Sequence, residues 1–406
     1  MAVERFSMGD PESAAARVHS LAPGAESVAE TVTEIVADVR EHGESALRRY
    51  VERFDHVDGP LRIAPEELGA ALDALDPAVR AGLEAGIANV RAVAEADLGR
   101  DVEVALAQGH TVRLRDVPVR RAAVYVPAGR APYPSTVVMG VVTARAAGVD
   151  EVVVCAPQAH PAILAACALC GADAVFAMGG AHAVAALAYG TQTVPRVDMI
   201  VGPGNLYVQE AKRLVSGDVG IDGFAGPSDV VVLASAGADP ALVSIDLAAQ
   251  AEHGPGTVVC AVSDDPDLLD AVRIEPGEAA AALVDAPDLE AALAFAEAFA
   301  PEHLELVGAE AEALAARVRS AGCVFVGGES GTAFGDYVAG SNHTLPTGGA
   351  ARFASQLGVR HFRRRMSEVR IGSAAAELAR AAAPVARAEG FEVHATSMEV
   401  RENPAP

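Results

Sequence analysis

Four of the eleven histidines in this 406-residue chain stand beside residue types that bind metals or move protons. Gln250-Ala251-Glu252-His253 ends a predicted helix, and a spacing of three puts Gln250 and His253 on one helical face. Pro301-Glu302-His303 precedes a predicted strand and sets a carboxyl next to an imidazole, a pairing used for acid/base work. Gly335-Asp336-Tyr337 and Ser341-Asn342-His343 share one glycine-rich loop, and Glu389 and His394 lie either side of Gly390. Each has an ordinary structural reading when taken alone. A helix-end histidine can cap carbonyls, an aspartate in a glycine loop can make a turn, and a C-terminal histidine can lie on the surface. Together they supply His, Asp, Gln and Glu, the mixed nitrogen and oxygen set that suits a catalytic Zn2+ with room for substrate.

A second set consists of glycine turns, each expected at the carboxyl end of a strand: Pro127-Ala128-Gly129, Gly179-Gly180-Ala181-His182, Gly202-Pro203-Gly204-Asn205 and Ala225-Gly226-Pro227-Ser228. No G-x-G-x-x-G follows a predicted strand, so the usual dinucleotide fingerprint is absent. The rim of strand ends and helix N-termini in a parallel sheet still binds polar or phosphate-bearing ligands. The other histidines (His19, His42, His56, His110, His160 and His361) lie in polar or loop contexts and read as structural. Lys212, the only lysine, reads as helix surface with no catalytic role. The five cysteines sit in apolar runs; Cys167-x-x-Cys170 lacks a second pair and reads as two buried thiols on one helix.

The elements that must position these residues change character at Arg120. Up to there the chain reads as helical, with apolar residues at three-to-four spacing over 27–40 and 77–96 and a short strand at Leu61-Arg62-Ile63. Beyond it, strands predicted at 122–127, 151–155, 174–177, 197–201, 229–233, 257–262 and 323–326 alternate with helices. Such alternation with short connections means βαβ units on parallel sheets, an α/β fold. The tail from Arg352 is rich in Arg and Ala and reads as helical.

Aromatics make up 4% with no Trp, so Ala, Val and Leu must fill the cores. A net charge of −24 argues against nucleic acid and anionic membrane as partners, because both are polyanions. No basic n-region precedes an apolar core and no run is long enough to span a bilayer, so a cytoplasmic protein is expected.

The ordered motifs from Val36 onward resemble the histidinol dehydrogenase family. They include Val39-Arg40-Glu41-His42-Gly43-Glu44-Ser45-Ala46-Leu47, Tyr125-Val126-Pro127, Tyr189-Gly190-Thr191 and Val201-Gly202-Pro203-Gly204-Asn205. They continue through Ala225-Gly226-Pro227-Ser228, Gln250-Ala251-Glu252-His253, Pro301-Glu302-His303-Leu304, Gly335-Asp336-Tyr337 and Asn342-His343-Thr344-Leu345-Pro346-Thr347.

The resemblance implies a homodimer with shared active sites, built from two incomplete Rossmann-like domains with a helical N-terminal segment and a helical C-terminal extension. The expected divisions are residues 1–22 for the N-terminal segment, 23–121 with 229–352 for the first domain, 122–228 for the second, and 353–406 for the extension that reaches the partner subunit. It further implies zinc and NAD as cofactors and L-histidinol as the substrate, oxidised in four electrons to L-histidine through the aldehyde, the last step of histidine biosynthesis.

By motif, Gln250, His253, Asp336 and His394 correspond to the zinc ligands, and Glu302 and His303 to the catalytic pair. Ser228, His343 and Glu389 correspond to substrate contacts, together with Gln250, His253, His303, Asp336 and His394. Tyr125, His182 and Asn205 correspond to NAD contacts. The family usually has Gln at the position of His182 and Gly-Gly at Ala128-Gly129. A paralogous dehydrogenase of another small alcohol, such as a sulfonated propanediol, is the competing reading; Glu389 favours a cationic amine over a sulfonate. A non-catalytic zinc scaffold would have no need of the Glu302–His303 pair.

Overall fold

The computed structural model describes residues 3–22, 27–127, 131–157, 160–223 and 226–402. The predicted positions Ala128, Gly129 and Ala225 lie outside the described residues. The chain divides into two compact units, residues 1–97 with 119–362 and residues 98–118 with 363–406.

The larger unit holds two parallel sheets, among the described residues. The six-stranded sheet runs in the order Val3–Ser7, Ala280–Asp285, Val258–Ser263, Asp229–Ala234, His303–Val307, Cys323–Val326. Its central strands are buried along their whole length and rich in Val and Ala, as expected for strands covered on both faces. The five-stranded sheet runs Ala174–Phe176, Glu151–Cys155, Arg121–Tyr125, Met199–Val201, Gly220–Ile221, all parallel. Leu61-Arg62-Ile63 forms an antiparallel bridge at its edge, with Ile63 N–H donating to Val175 O at 2.9 Å. No helix among the described residues is long and apolar enough to cross a membrane.

Several expectations are corrected. The N-terminal segment is helical over Pro11–His19, capped by Asp10, but it opens with Val3–Ser7, the edge strand of the six-stranded sheet. Helices 29–42 and 44–50, grouped above with the first domain, pack into the core of the five-stranded sheet through Val32, Val36, Val39 and Leu47 against Ala183, Leu187 and Ile200.

The smaller unit has an antiparallel sheet in the order Arg363–Arg370, Thr111–Pro118, Val102–Ala105, where the expectation was helix. Its strands are mostly exposed or half-buried, so no apolar period marks them, and strand pairing rather than burial fixes their form. Helices Ala375–Ala388 and Glu392–Glu399 then follow as the tail composition predicts.

Candidate active site

The predicted acid/base pair sits at the amino end of the six-stranded sheet. Ser228 and Asp229 begin one strand, and Glu302 and His303 begin its neighbour, with His303 in register with Val230. This is the end opposite to the one where α/β sheets usually bind ligands. Ser228 therefore lies at an amino rim, whereas the sequence reading put its turn at a carboxyl one.

Backbone and carboxyl groups bond reciprocally across the strand pair. Glu302 N–H donates to Asp229 Oδ1 at 2.6 Å, and Asp229 N–H donates to Glu302 Oε2 at 3.1 Å. The Ser228 hydroxyl donates to Glu302 Oε2 at 2.5 Å and accepts from Gln250 Nε2 at 2.6 Å. A chain of hydrogen bonds thus links a predicted metal ligand to the predicted catalytic carboxyl. Because the amide nitrogen of Gln250 is committed to Ser228, its oxygen is the atom with lone pairs to offer a cation.

Burial pushes the Glu302 carboxyl up to about 7, against the opposing pull of the Ser228 hydroxyl and Asp229 amide. Asp229 rises to about 7 as well, through burial and then the charge of Glu302. Paired desolvated carboxyls with raised values are a mark of sites that move protons.

The His303 ring is buried, with Nδ1 3.2 Å from Asp229 O. A carbonyl can only accept, so Nδ1 carries the proton and Nε2 holds the lone pair. His253 Nδ1 meets Gln250 O at 3.1 Å in the same way, and such a bond fixes which ring nitrogen faces a ligand. His343 donates from Nδ1 to Asp336 O at 3.1 Å and meets Thr136 Oγ1 through Nε2 at 3.3 Å. Burial holds His343 below the usual imidazole value. The charges of His253 and Asp336 act on Glu302, and those of Asp336, His303 and His253 act on His343, so these side chains form one electrostatic cluster.

No three of His, Cys, Asp and Glu gather as a metal cage among the described residues. This unit supplies His253, Asp336 and the Gln250 amide, a nitrogen and oxygen set that suits zinc but is one donor short of four. Glu389 and His394 belong to the smaller unit. There Glu389 ends helix Ala375–Ala388, and His394 lies on Glu392–Glu399 with its ring 5.0 Å from that of Phe391; both are exposed.

The three predicted NAD contacts lie at the carboxyl end of the five-stranded sheet, and all are engaged in holding the fold. The Tyr125 hydroxyl accepts from Gly180 N–H at 3.0 Å. Asn205 Oδ1 caps helix Leu206–Val215 by accepting from Tyr207 and Val208 N–H at 3.1 and 3.2 Å, which leaves Nδ2 as its donor. His182 is buried and bonds Asp55 Oδ2 through Nε2 at 2.9 Å, with its ring near those of Tyr50 and Phe54.

Lys212 departs from its expected place on the surface: it is 1% exposed and bonds Asp222 and Gly202 O. The sequence reading also missed Asp229, hidden at the head of a Val run, and Asp55 and Thr136, which carry no local signal. It missed Glu305 too, fully buried and held far above the ordinary carboxyl value by burial and by the facing Asp246 carboxyl. For Lys212 a signal existed, in that one lysine stands in a chain that otherwise uses arginine. The Cys167 and Cys170 thiols are buried on one helix as expected, and burial raises both.

Comparison with known proteins adds to this geometry. A family profile described as Histidinol dehydrogenase matches residues 21–402. A histidinol dehydrogenase of Aromatoleum aromaticum is 44% identical over 395 residues, covering 91% of this chain and 90% of the relative. One of Natronomonas pharaonis is 43% identical over 399 residues, covering 93% and 94%. The crystal structure of histidinol dehydrogenase from Elizabethkingia anophelis superposes with a TM-score of 0.91 at 27% identity, covering 98% of both chains.

Proposed function

This chain belongs to the histidinol dehydrogenase family and is an oxidoreductase of histidine biosynthesis, and we propose that it carries L-histidinol to L-histidine with zinc and NAD as cofactors. Gln250, His253 and Asp336 would hold the metal, with His394 of the partner subunit completing the set in a homodimer. When bound, zinc supplies a template that orients the imidazole and amine of the substrate, and NAD+ supplies the electron acceptor in each of two turns.

The alcohol can give up a hydride only as its hydroxyl proton leaves, and His303 Nε2 takes that proton. Its tautomer is fixed in advance by the Asp229 carbonyl at 3.2 Å. The aldehyde then needs water, because only its gem-diol has a second hydride to give. Glu302 accepts the proton of that water. Its Oε2 is anchored by Ser228 and Asp229, so the carboxyl is oriented before substrate arrives. Across both steps the substrate loses two hydrides and gains one water oxygen, and two NAD+ are reduced.

Ser228 and His343 line the substrate side, and Glu389 supplies a carboxylate that suits the cationic amine. Tyr125, His182 and Asn205 form the rim for NAD. A biosynthetic role of this kind supports a cytoplasmic location.

The observation that carries this reading is the desolvated Glu302 joined through Ser228 to Gln250, beside a histidine whose base nitrogen is already set. Zinc-loaded protein given limiting L-histidinol should form two NADH per substrate consumed. Formation of one, with aldehyde accumulating, would contradict the four-electron assignment.

A further inference from the structure

The turn Gly202-Pro203-Gly204-Asn205 leaves strand Met199–Val201 and leads into helix Leu206–Val215, which carries Lys212. Lys212 Nζ donates to Gly202 O at 3.1 Å and to Asp222 Oδ1, while Asp222 Oδ2 accepts from Gly202 N–H at 2.7 Å. Both polar groups of Gly202 are thus taken by one ion pair, whose side chains are 1% and 7% exposed. Gly202 has a φ of +114°, and a Cβ there would lie 2.1 Å from Tyr125 O, so the turn packs flush against the end of the neighbouring strand. The same pair that holds this peptide therefore fixes Asn205, three residues on, relative to Tyr125.

Stability alone gives little reason for such a pair, since apolar side chains of similar volume are often as stabilising as a buried ion pair or more so. The choice of side chain is pointed as well. This is the single lysine among 31 basic residues, and a compact ammonium can reach a carbonyl and a carboxylate together where a planar guanidinium needs a wider site. The arrangement also occurs twice on this rim. At the turn before helix Gly180–Tyr189, the buried Asp55 carboxylate accepts from Gly179 N–H at 3.0 Å and is met by His182 at 2.9 Å. In each case a carboxylate takes a turn glycine's N–H, and a basic side chain from the following helix meets that carboxylate.

We propose that Lys212 and Asp222 are positioning residues for the nicotinamide dinucleotide: they hold the Gly202–Asn205 turn in the shape that receives it. This rests on the assignment of NAD to this rim. Among the described residues no hydrogen bond joins this pair to the histidinol site described above, so its loss acts on cofactor binding.

The test replaces both partners, Lys212→Met with Asp222→Leu, because removing one alone leaves an uncompensated buried charge that unfolds the chain for unrelated reasons. The expected result is a folded, zinc-containing enzyme whose NAD+ dissociation constant, read by calorimetric titration without substrate, rises about tenfold together with its Michaelis constant, while kcat and the histidinol Michaelis constant stay within about twofold, the pattern of lost uniform binding. An unchanged NAD+ constant in the folded double variant overturns the proposal. Should that variant fail to fold, Lys212→Arg decides, since it keeps a cation for Asp222 but its planar guanidinium cannot meet Gly202 O and the carboxylate as the ammonium does. A smaller rise in the same constant supports the proposal, and no rise overturns it. Failure of the wild-type enzyme to bind NAD+ at all would be a failure of the rim assignment, and is read separately.

Discussion

The two parallel sheets of this protein use buried polar groups in opposite ways. At the amino end of the six-stranded sheet, Glu302 and Asp229 are crowded together and desolvated, and both are pushed up to about 7. At the carboxyl end of the five-stranded sheet, three buried polar groups have complementary partners: Lys212 with Asp222, His182 with Asp55, Tyr125 with Gly180. The first arrangement keeps protonation states close in energy, which is what proton transfer needs. The second removes freedom, which is what ligand binding needs. The two ends are tied at His343, which bonds Thr136 from the helix after strand Arg121–Tyr125.

The largest effect should come from removing the metal. Chelation, or His253→Ala, should abolish NADH formation while the melting transition remains cooperative; metal analysis of active protein showing no divalent ion would break the ligand assignment.

Next is Glu302→Gln, expected to slow aldehyde oxidation by ~10²–10⁴-fold, the usual worth of such a proton transfer. Alcohol oxidation should lose far less. Because Glu302 acts in its deprotonated form and burial raises it, wild-type aldehyde oxidation should fall as pH drops through about 7. A bound cation favours the carboxylate, so the break in zinc-loaded enzyme should lie at or below that pH. The variant should lack this limb, and a limb that persists would assign it to another group.

A smaller change is expected at the other rim. His182→Gln keeps a donor for Asp55 and should leave the NAD+ Michaelis constant nearly unchanged, whereas His182→Leu leaves Asp55 only the Gly179 N–H and should raise it several-fold with kcat kept. Equal constants in the two variants would separate this pair from cofactor binding.

The smallest effect is one of stability alone. Burial and the facing Asp246 carboxyl hold Glu305 far above an ordinary carboxyl, so the fold holds a proton that the unfolded chain releases. Wild-type stability should therefore decline as pH rises above the ordinary carboxyl range. Glu305→Gln should flatten that decline in thermal melts, and an unaltered slope would show that Glu305 is not its source.

The sequence made the chemistry of the site more legible than its support. Motifs singled out Glu302, His303, Gln250, His253 and Asp336 as candidates, because metal binding and proton transfer call for particular residue types at particular spacings, and Ser228 joins Glu302 to Gln250 in the folded chain. The alternation of Val-rich strands with helices likewise gave the two parallel sheets, since burial on both faces leaves continuous apolar runs. The positioning groups left no such trace. Asp229 and Asp55 are single carboxylates whose partners lie 73 and 127 residues away in the chain. Local pattern also misplaced the Ser228 turn, because which end of a sheet it borders depends on a strand pairing that only tertiary structure sets. The strands at 102–105, 111–118 and 363–370 were missed for a related reason: solvent covers much of them, so hydrophobic period is silent.

The division between a rim for chemistry and a rim for holding the cofactor is tested most directly by measuring kcat for L-histidinal oxidation and the NAD+ Michaelis constant side by side in Glu302→Gln and His182→Leu. A fall in kcat at an unchanged NAD+ constant is predicted for Glu302→Gln, with the reverse for His182→Leu. The same mixture of losses in both variants would contradict the division.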